Sequence, residues 1–560
     1  MIDMRSALTI VAAIVAAAAV AAQQPGTPAR TTRIDSLTAS IEGKVTRSDT
    51  GAPIRGAEVR LLVDGRSSRL ATTNAEGRYE LRDLAAGEYR LTVSRTGFVS
   101  LQFGQRRPFE AASTIRVAEG GRTEANVALI RGGVIYGRVL DQNGEPLIGT
   151  RVQALRSRSV GGQRRLQSVA APDVTDDTGA FRIYGLPPGD YYVAAAAGFG
   201  DQVKRDPPTY YPGTANFADA QPITLAPGVE ASAEFPMAPV RNARVTGIVV
   251  DSSGKPVQAM VNLTSESVSA GPAMGGTVAP MQVHADALPN GTFTLENVPP
   301  GPYSLTAMVM NMMSGPSPPT PGPPSAADMV RRMPEQVGMP LVVSGDDISG
   351  LTLVTRKGAV LSGSFVTDTG VSAPLPPNRR VIQRSADGAG GMNMTLGTGS
   401  GRSFQLVGMP GPFRLEVELP EGWTAKALML DGRDVTDEVI DLRGENATLQ
   451  VILSDRPSSV VGTALLRGEP SDVDVVVFPE DATKWTYPSR YVRAARADRQ
   501  GQFRITNLPP GERYLAAALD YLEDGEQHDP QFLERLRGRA TSFSVSEGQQ
   551  RTIRLDAINR

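Results

Sequence analysis

One phrase returns along this chain and fixes most of what it can fold into. A clear copy reads Asp176-Asp-Thr-Gly179-Ala-Phe181-Arg-Ile183-Tyr-Gly-Leu186-Pro-Pro-Gly189-Asp-Tyr191-Tyr-Val193. Related copies begin at Asn74, Asn290 and Asp498, and a degenerate one runs from Arg402 to Leu415. Such recurrence is the signature of a repeat architecture. Phe181 and Ile183 alternate with polar neighbours, as do Tyr191 and Val193, so each run reads as a strand with one buried face. Pro-Pro-Gly between them forces a tight turn, because proline fixes φ and glycine accepts a positive one. The phrase is therefore a β-hairpin. Gly87, Gly189, Gly301 and Gly511 are its expected structural turn glycines.

A second phrase precedes each hairpin: Ile41-Glu-Gly43, Ile135-Tyr-Gly137, Val245-Thr-Gly247, Leu361-Ser-Gly363 and Val460-Val-Gly462. These read as opening strands, and their glycines recur at intervals of roughly 100 residues, room for about seven short strands each. The expected fold is all-β, a tandem array of about five seven-stranded antiparallel β-sandwich modules behind a signal peptide. The expected divisions are 1–22 signal peptide, 23–39 linker, then sandwiches at 40–131, 132–240, 241–356, 357–456 and 457–560. The third carries the methionines and a Pro-rich insertion, and the fourth is degenerate. Closing strands run almost directly into opening strands, as at Arg131-Gly-Gly133, which predicts a semi-rigid rod.

Arg5, the apolar run Ala7 to Ala22 and the small-residue pattern Ala19-Val-Ala21 read as an export signal removed near Ala22. The run is shorter than the ~20 residues a membrane span needs, so no stable span is expected after removal. Secretion, or a periplasmic or cell-surface place in a bacterium, follows. The chain has no cysteine, which excludes disulfides, Cys-ligated metals and a Cys nucleophile. Two histidines, His284 and His528, leave little for metal or general-base chemistry. With 57 basic and 59 acidic residues there is no polyanion footprint, and nucleic acid is not an expected partner.

The two phrases together resemble the carboxypeptidase regulatory-like domain. The resemblance implies a transthyretin-like, or carbohydrate-binding-like, β-sandwich. Repeats one to three and five carry the motif, whereas repeat four replaces the turn with Met409-Pro-Gly-Pro412. The stretch from Trp423 to Leu536 is also similar to the C-terminal half of large secreted bacterial proteins that carry this domain. In metallocarboxypeptidases the domain accompanies a zinc peptidase with a His-x-x-Glu motif, and neither His284 nor His528 begins one. Intradiol dioxygenases, with a related sandwich, hold iron through two Tyr and two His, a set that one histidine per repeat cannot supply.

No catalytic residue, cofactor or bound metal is expected, and the leading function is a non-enzymatic scaffold or interaction protein of the cell envelope. Its partner would be an envelope protein or a glycan. The alternative is carbohydrate binding through an aromatic face made by Trp485, Tyr487 and Tyr491, with Trp485 and Tyr487 on one strand face and Arg490 and Arg493 as donors. Core packing is the competing reading for Trp485. Tyr210 and Tyr211 fall on an expected loop. A further alternative is Cu(I) binding by the methionines of the third unit, where Met308, Met310 and Met312 alternate as inward strand residues would. Asp173, Asp176 and Asp177 beside Gly179 offer oxygens to Ca²⁺, but an Asx-turn accounts for them.

Overall fold

The computed structural model describes residues 38–558, apart from 64–65, 197–207, 240, 266–267, 270–281, 310–329, 331–332, 371–373, 387–400 and 409–410. The proposed signal segment, Met310, Met312, the Pro-rich insertion and Met409 lie outside the described residues. The protein is all-β. Strands fill the repeats, and among the described residues one α-helix, Pro530–Arg537, is present. Repeat 1 packs a four-stranded sheet on a five-stranded one, and repeat 3 a three-stranded sheet on a four-stranded one. Five large clusters of buried apolar side chains lie within residues 39–129, 135–235, 243–353, 361–453 and 460–555. Each cluster is fed by the inward positions of the alternating strands.

The opening strand is the organising element of every repeat. In repeat 2, Gly133–Leu140 pairs antiparallel with Ala180–Leu186 and parallel with the closing strand Glu230–Pro236. The same parallel pairing recurs in the other four repeats and adds one feature to the antiparallel expectation. Parallel strands need a long connection, and nearly a whole repeat lies between these two.

The strand glycine sits at the tightest point of this arrangement. Gly43, Gly137, Gly247, Gly363 and Gly462 stand opposite Tyr79, Phe181, Phe293, Phe404 and Phe503 in register. A Cβ at Gly137 would collide with the carbonyl of Ala233 on the parallel strand, and one at Gly363 with the ring of Phe404. The opening strand therefore tolerates no side chain there, and the aromatic opposite covers the gap.

The hairpin turn is fastened by its tyrosine. The hydroxyls of Tyr89, Tyr303 and Tyr514 donate to the carbonyls of Ala85, Pro299 and Pro509 at 2.8, 2.9 and 2.8 Å. Tyr191 does the same to Pro187. Burial pushes the phenols of Tyr191, Tyr303 and Tyr514 up from their ordinary value. Of the four turn glycines, Gly189, Gly301 and Gly511 have positive φ (139°, 151° and 86°), whereas Gly87 is not among the positive-φ residues. The residue before each turn leucine or valine is also left-handed: Asp83, Gly185, Asn297 and Asn507 at φ 57°, 72°, 56° and 61°. Opening-strand register slips opposite them. Asp, Asn and Gly are the residues that accept this conformation at a bulge.

The rod expectation fails. Repeat 5 docks back on repeats 1 and 2. Arg106 and Arg107 of repeat 1 reach Asp472 and Asp520 at 2.9 and 3.3 Å. Tyr521 donates to the Pro108 carbonyl at 2.6 Å, and the Asp524 amide to that of Phe109 at 2.9 Å. From repeat 2, Arg156 meets Glu523 at 2.7 Å and Arg164 meets Asp529 at 2.8 Å. The short joints do hold successive repeats together, but joint length says nothing about surfaces complementary over 367 residues of separation.

Candidate functional site

The three aromatics singled out in repeat 5 occupy three different settings. The strand Asp474–Pro479 stops at its proline, and Asp481 caps a short 3₁₀ turn, Ala482–Lys484, by accepting from the Thr483 amide. Trp485 follows this turn, so the expected shared strand face with Tyr487 is not formed. Trp485 is 6% exposed, lies edge-on to Phe478, and donates from Nε1 to the Pro479 carbonyl at 2.8 Å. It belongs to a cluster that includes Leu533 and Leu536 of the helix. Tyr487 packs edge-on against His528, with ring centroids 5.1 Å apart. Tyr491 is buried in the main core of repeat 5, and its hydroxyl donates to Asp437 of repeat 4 at 2.6 Å.

Arg490 and Arg493 are likewise engaged. Arg490 forks onto both carboxylate oxygens of Asp437 at 2.9 Å, and Arg493 donates to the Ser489 carbonyl at 2.8 Å. Burial first, then the bond to Asp437, pushes the Tyr491 phenol up to about 12. A cleft of about 190 Å³ remains between repeats 4 and 5, bordered by Trp423, Tyr491 and these two arginines. Arg490 is thus spent on joining the two repeats, and Arg493 on carbonyls of its own repeat.

The remaining candidates resolve from local geometry. Asp176 Oδ1 accepts from the Thr178 and Ala180 amides, both at 2.9 Å, and Asp173 Oδ2 from the Arg182 amide at 2.7 Å. Asp176 thus closes an Asx-type turn, as expected, whereas Asp173 is held by a strand amide nine residues on rather than by such a turn. In the strand Gly301–Val309 the inward residues are Tyr303, Leu305, Ala307 and Val309. Met308 is 39% exposed, so the inward expectation is wrong for it; the period-2 register places Leu305 and Ala307 inside instead. Met260, 37% exposed, stands directly opposite it. His284 lies on the exposed side of the neighbouring strand. His528 is in repeat 5, where burial first, with Arg493 adding, brings its imidazole down to about 4. Tyr210 is buried, and Tyr211 packs against Phe235.

Two rings that the sequence reading passed over are the ones that face solvent. Tyr136 and Tyr184 are 42% and 61% exposed. They lie on adjacent strands of repeat 2, at register positions Val134↔Tyr184 and Tyr136↔Arg182, on the side opposite Ile135, Phe181 and Ile183. The available signal was substitution within the repeat. Where repeat 2 has Tyr136, the others have Glu42, Thr246, Ser362 and Val461.

Comparison with known proteins agrees with the repeat. The carboxypeptidase regulatory-like domain family matches residues 40–130 and 134–238. No curated protein matches the chain. Similar solved structures include the Bacillus anthracis TIE protein, at 12% identity over 76% of this chain and 75% of that one, TM-score 0.15. A streptococcal ancillary pilin matches at 12% identity over 57% and 98%, TM-score 0.18. A minor pilin of Streptococcus agalactiae matches at 16% over 36% and 96%, TM-score 0.19. At such identities and superpositions these three carry no argument about activity or partner. The hairpin motif, the sandwich sheets of the first two repeats and the family match together make this a carboxypeptidase regulatory-like domain-containing protein, with two such domains in tandem at residues 40–130 and 134–238.

Proposed function

We propose that the chain is an exported, non-enzymatic scaffold of the cell envelope, built from sandwich modules at 40–131, 132–240, 241–356, 357–456 and 457–560. The observation that carries this reading is the junction of repeats 1, 2 and 5. There Arg106, Arg107, Arg156 and Arg164 each meet a carboxylate of repeat 5, and the Phe109 ring lies under two guanidinium groups, 4.9 and 4.4 Å from those of Arg156 and Arg158. Paired charges hold modules in a fixed relation; a reaction centre would leave some of them turned toward a substrate. The family match supports the reading, since the matched domain is regulatory-like. No helix among the described residues is long and apolar enough to cross a membrane.

A glycan partner is compatible with this role, but the burial of Trp485 and Tyr491 moves the aromatic face away from repeat 5. The copper alternative retains the solvent-facing pair Met260 and Met308. Fractionation of bacteria producing the full chain tests the main proposal. The protein is expected outside the cytoplasm with an N-terminus at or near Gln23; cytoplasmic protein that begins at Met1 would overturn it.

A further inference from the structure

We infer that the outer sheet face of repeat 2, with the groove beside it, is a binding platform for a neutral polysaccharide. The inference rests on the scaffold reading above and supplies the class of its partner. Tyr136 and Tyr184 are diagonal neighbours across an antiparallel pair, close enough to act on one ligand. Both expose a ring, and neither hydroxyl has a hydrogen-bond partner among the described residues. Nothing in the fold asks for aromatics there. Repeat 1 has Glu42 and Arg82 at the same two positions, each tied into ion pairs with Arg122 and Glu80. Repeat 3 has Thr246 and Glu296.

The surroundings select the ligand. Beside the rings, Arg182 forks onto Glu230 at 2.7 and 3.1 Å, which cancels both charges and presents a flat array of donors and acceptors. Tyr184 also forms part of a groove of about 910 Å³ between repeats 1 and 2, whose other lining includes Thr92, Ser100, Gln102, Gln105 and Gln167. A sugar has apolar C–H faces that a ring can cover and hydroxyls that amides, hydroxyls and guanidinium groups can take. The volume of the groove suits several linked units. A stable protein partner would need a far larger contact surface, on the order of 800 Å² per side, and two rings among charged neighbours do not supply its apolar centre. A polyanion would need unpaired cations beside the rings, where Arg182 is already paired with Glu230; the groove's Arg90 and Arg95 are what the charged control tests.

The test is affinity electrophoresis of the full exported chain through gels cast with starch, galactomannan, xylan or hydroxyethylcellulose, with alginate as the charged control. Retardation in at least one neutral gel is expected. Tyr136→Ala and Tyr184→Ala should each weaken it by roughly threefold to tenfold. The double alanine variant should migrate freely, and the Tyr136→Phe/Tyr184→Phe variant should stay retarded because it keeps both rings. Equal melting of wild type and variants separates lost binding from lost folding. Migration unaffected by every neutral gel, equal retardation of the double alanine variant, or retardation by alginate alone would each overturn the inference. None of these outcomes alters where the protein is found in the cell, so the scaffold reading stands or falls separately.

Discussion

Repeat 5 and repeat 2 both carry conspicuous aromatics, and the protein uses them in opposite ways. In repeat 5 the rings follow a strand that has ended, and the chain folds them inward against Phe478, His528 and Asp437. In repeat 2 the rings sit within regular strands at outward positions, where the alternation leaves them in solvent. Aromatic residues close together in sequence are thus weaker evidence of a platform than aromatics at matching register on neighbouring strands.

The largest expected effect is at Trp485. Trp485→Ala should cost about 3–5 kcal/mol through the cavity and the lost indole bond. Hydrogen exchange should show it as faster opening of repeat 5; unchanged protection there would return Trp485 to the surface and break the contrast. A smaller effect is expected within repeat 2, between an inward and an outward tyrosine. Tyr191→Phe leaves the Pro187 carbonyl without its donor and should cost ~1–2 kcal/mol in a denaturation curve.

The third test asks whether burial in repeat 5 reaches ionisable groups as well as rings. Burial holds His528 down to about 4. Between about 4 and 6.5 the unfolded chain then binds more protons, and stability falls as pH falls. Asp474 is pushed up to about 6, first by burial, with Glu110 adding and Arg496 and Arg106 opposing. Its folded form keeps the proton, so that contribution is greatest in acid and is lost as pH rises through about 6. The two slopes oppose each other. Asp474→Asn removes one and should leave a steeper loss of stability from pH 6.5 down to 4.5; an unchanged slope would mean Asp474 titrates normally. The smallest effect is on the other side of the comparison. Tyr184→Ala should change stability by no more than about 0.5 kcal/mol, as exposed positions do, and a larger loss in thermal unfolding would show that the ring packs.

The fold was legible where physics is local. Phe181, Ile183, Tyr191 and Val193 alternate because a hairpin buries one face, and the structure buries all four. The tyrosine-to-carbonyl fastening was written in the same phrase but needed the turn geometry to be seen. The left-handed Asp83, Asn297 and Asn507 looked like ordinary polar strand residues, since a bulge has no period of its own. Met308 was misread because three alternating methionines fix a period but not which phase is inward. The docking of repeat 5 was illegible. Arg156 and Glu523 are unremarkable charged residues until the chain brings them together, and no local pattern encodes a pair so distant. The candidate site suffered from the same limit, because exposure depends on which neighbours arrive.

The closure of repeat 5 onto repeats 1 and 2 has a consequence for how the protein is made. Synthesis delivers the N-terminal repeats first. Phe109, Arg156 and Arg158 therefore wait uncovered until the segment from Asp520 to Asp529 emerges, more than 360 residues after Arg156. The entropic toll of that wait is modest, since each doubling of a closed loop adds only about 0.6 kcal/mol. A chain cut short after the fourth repeat would fold its sandwiches and still show an open, arginine-lined patch to chaperones and proteases. Repeat 5 thereby serves as the cover for a surface that repeats 1 and 2 cannot bury by themselves.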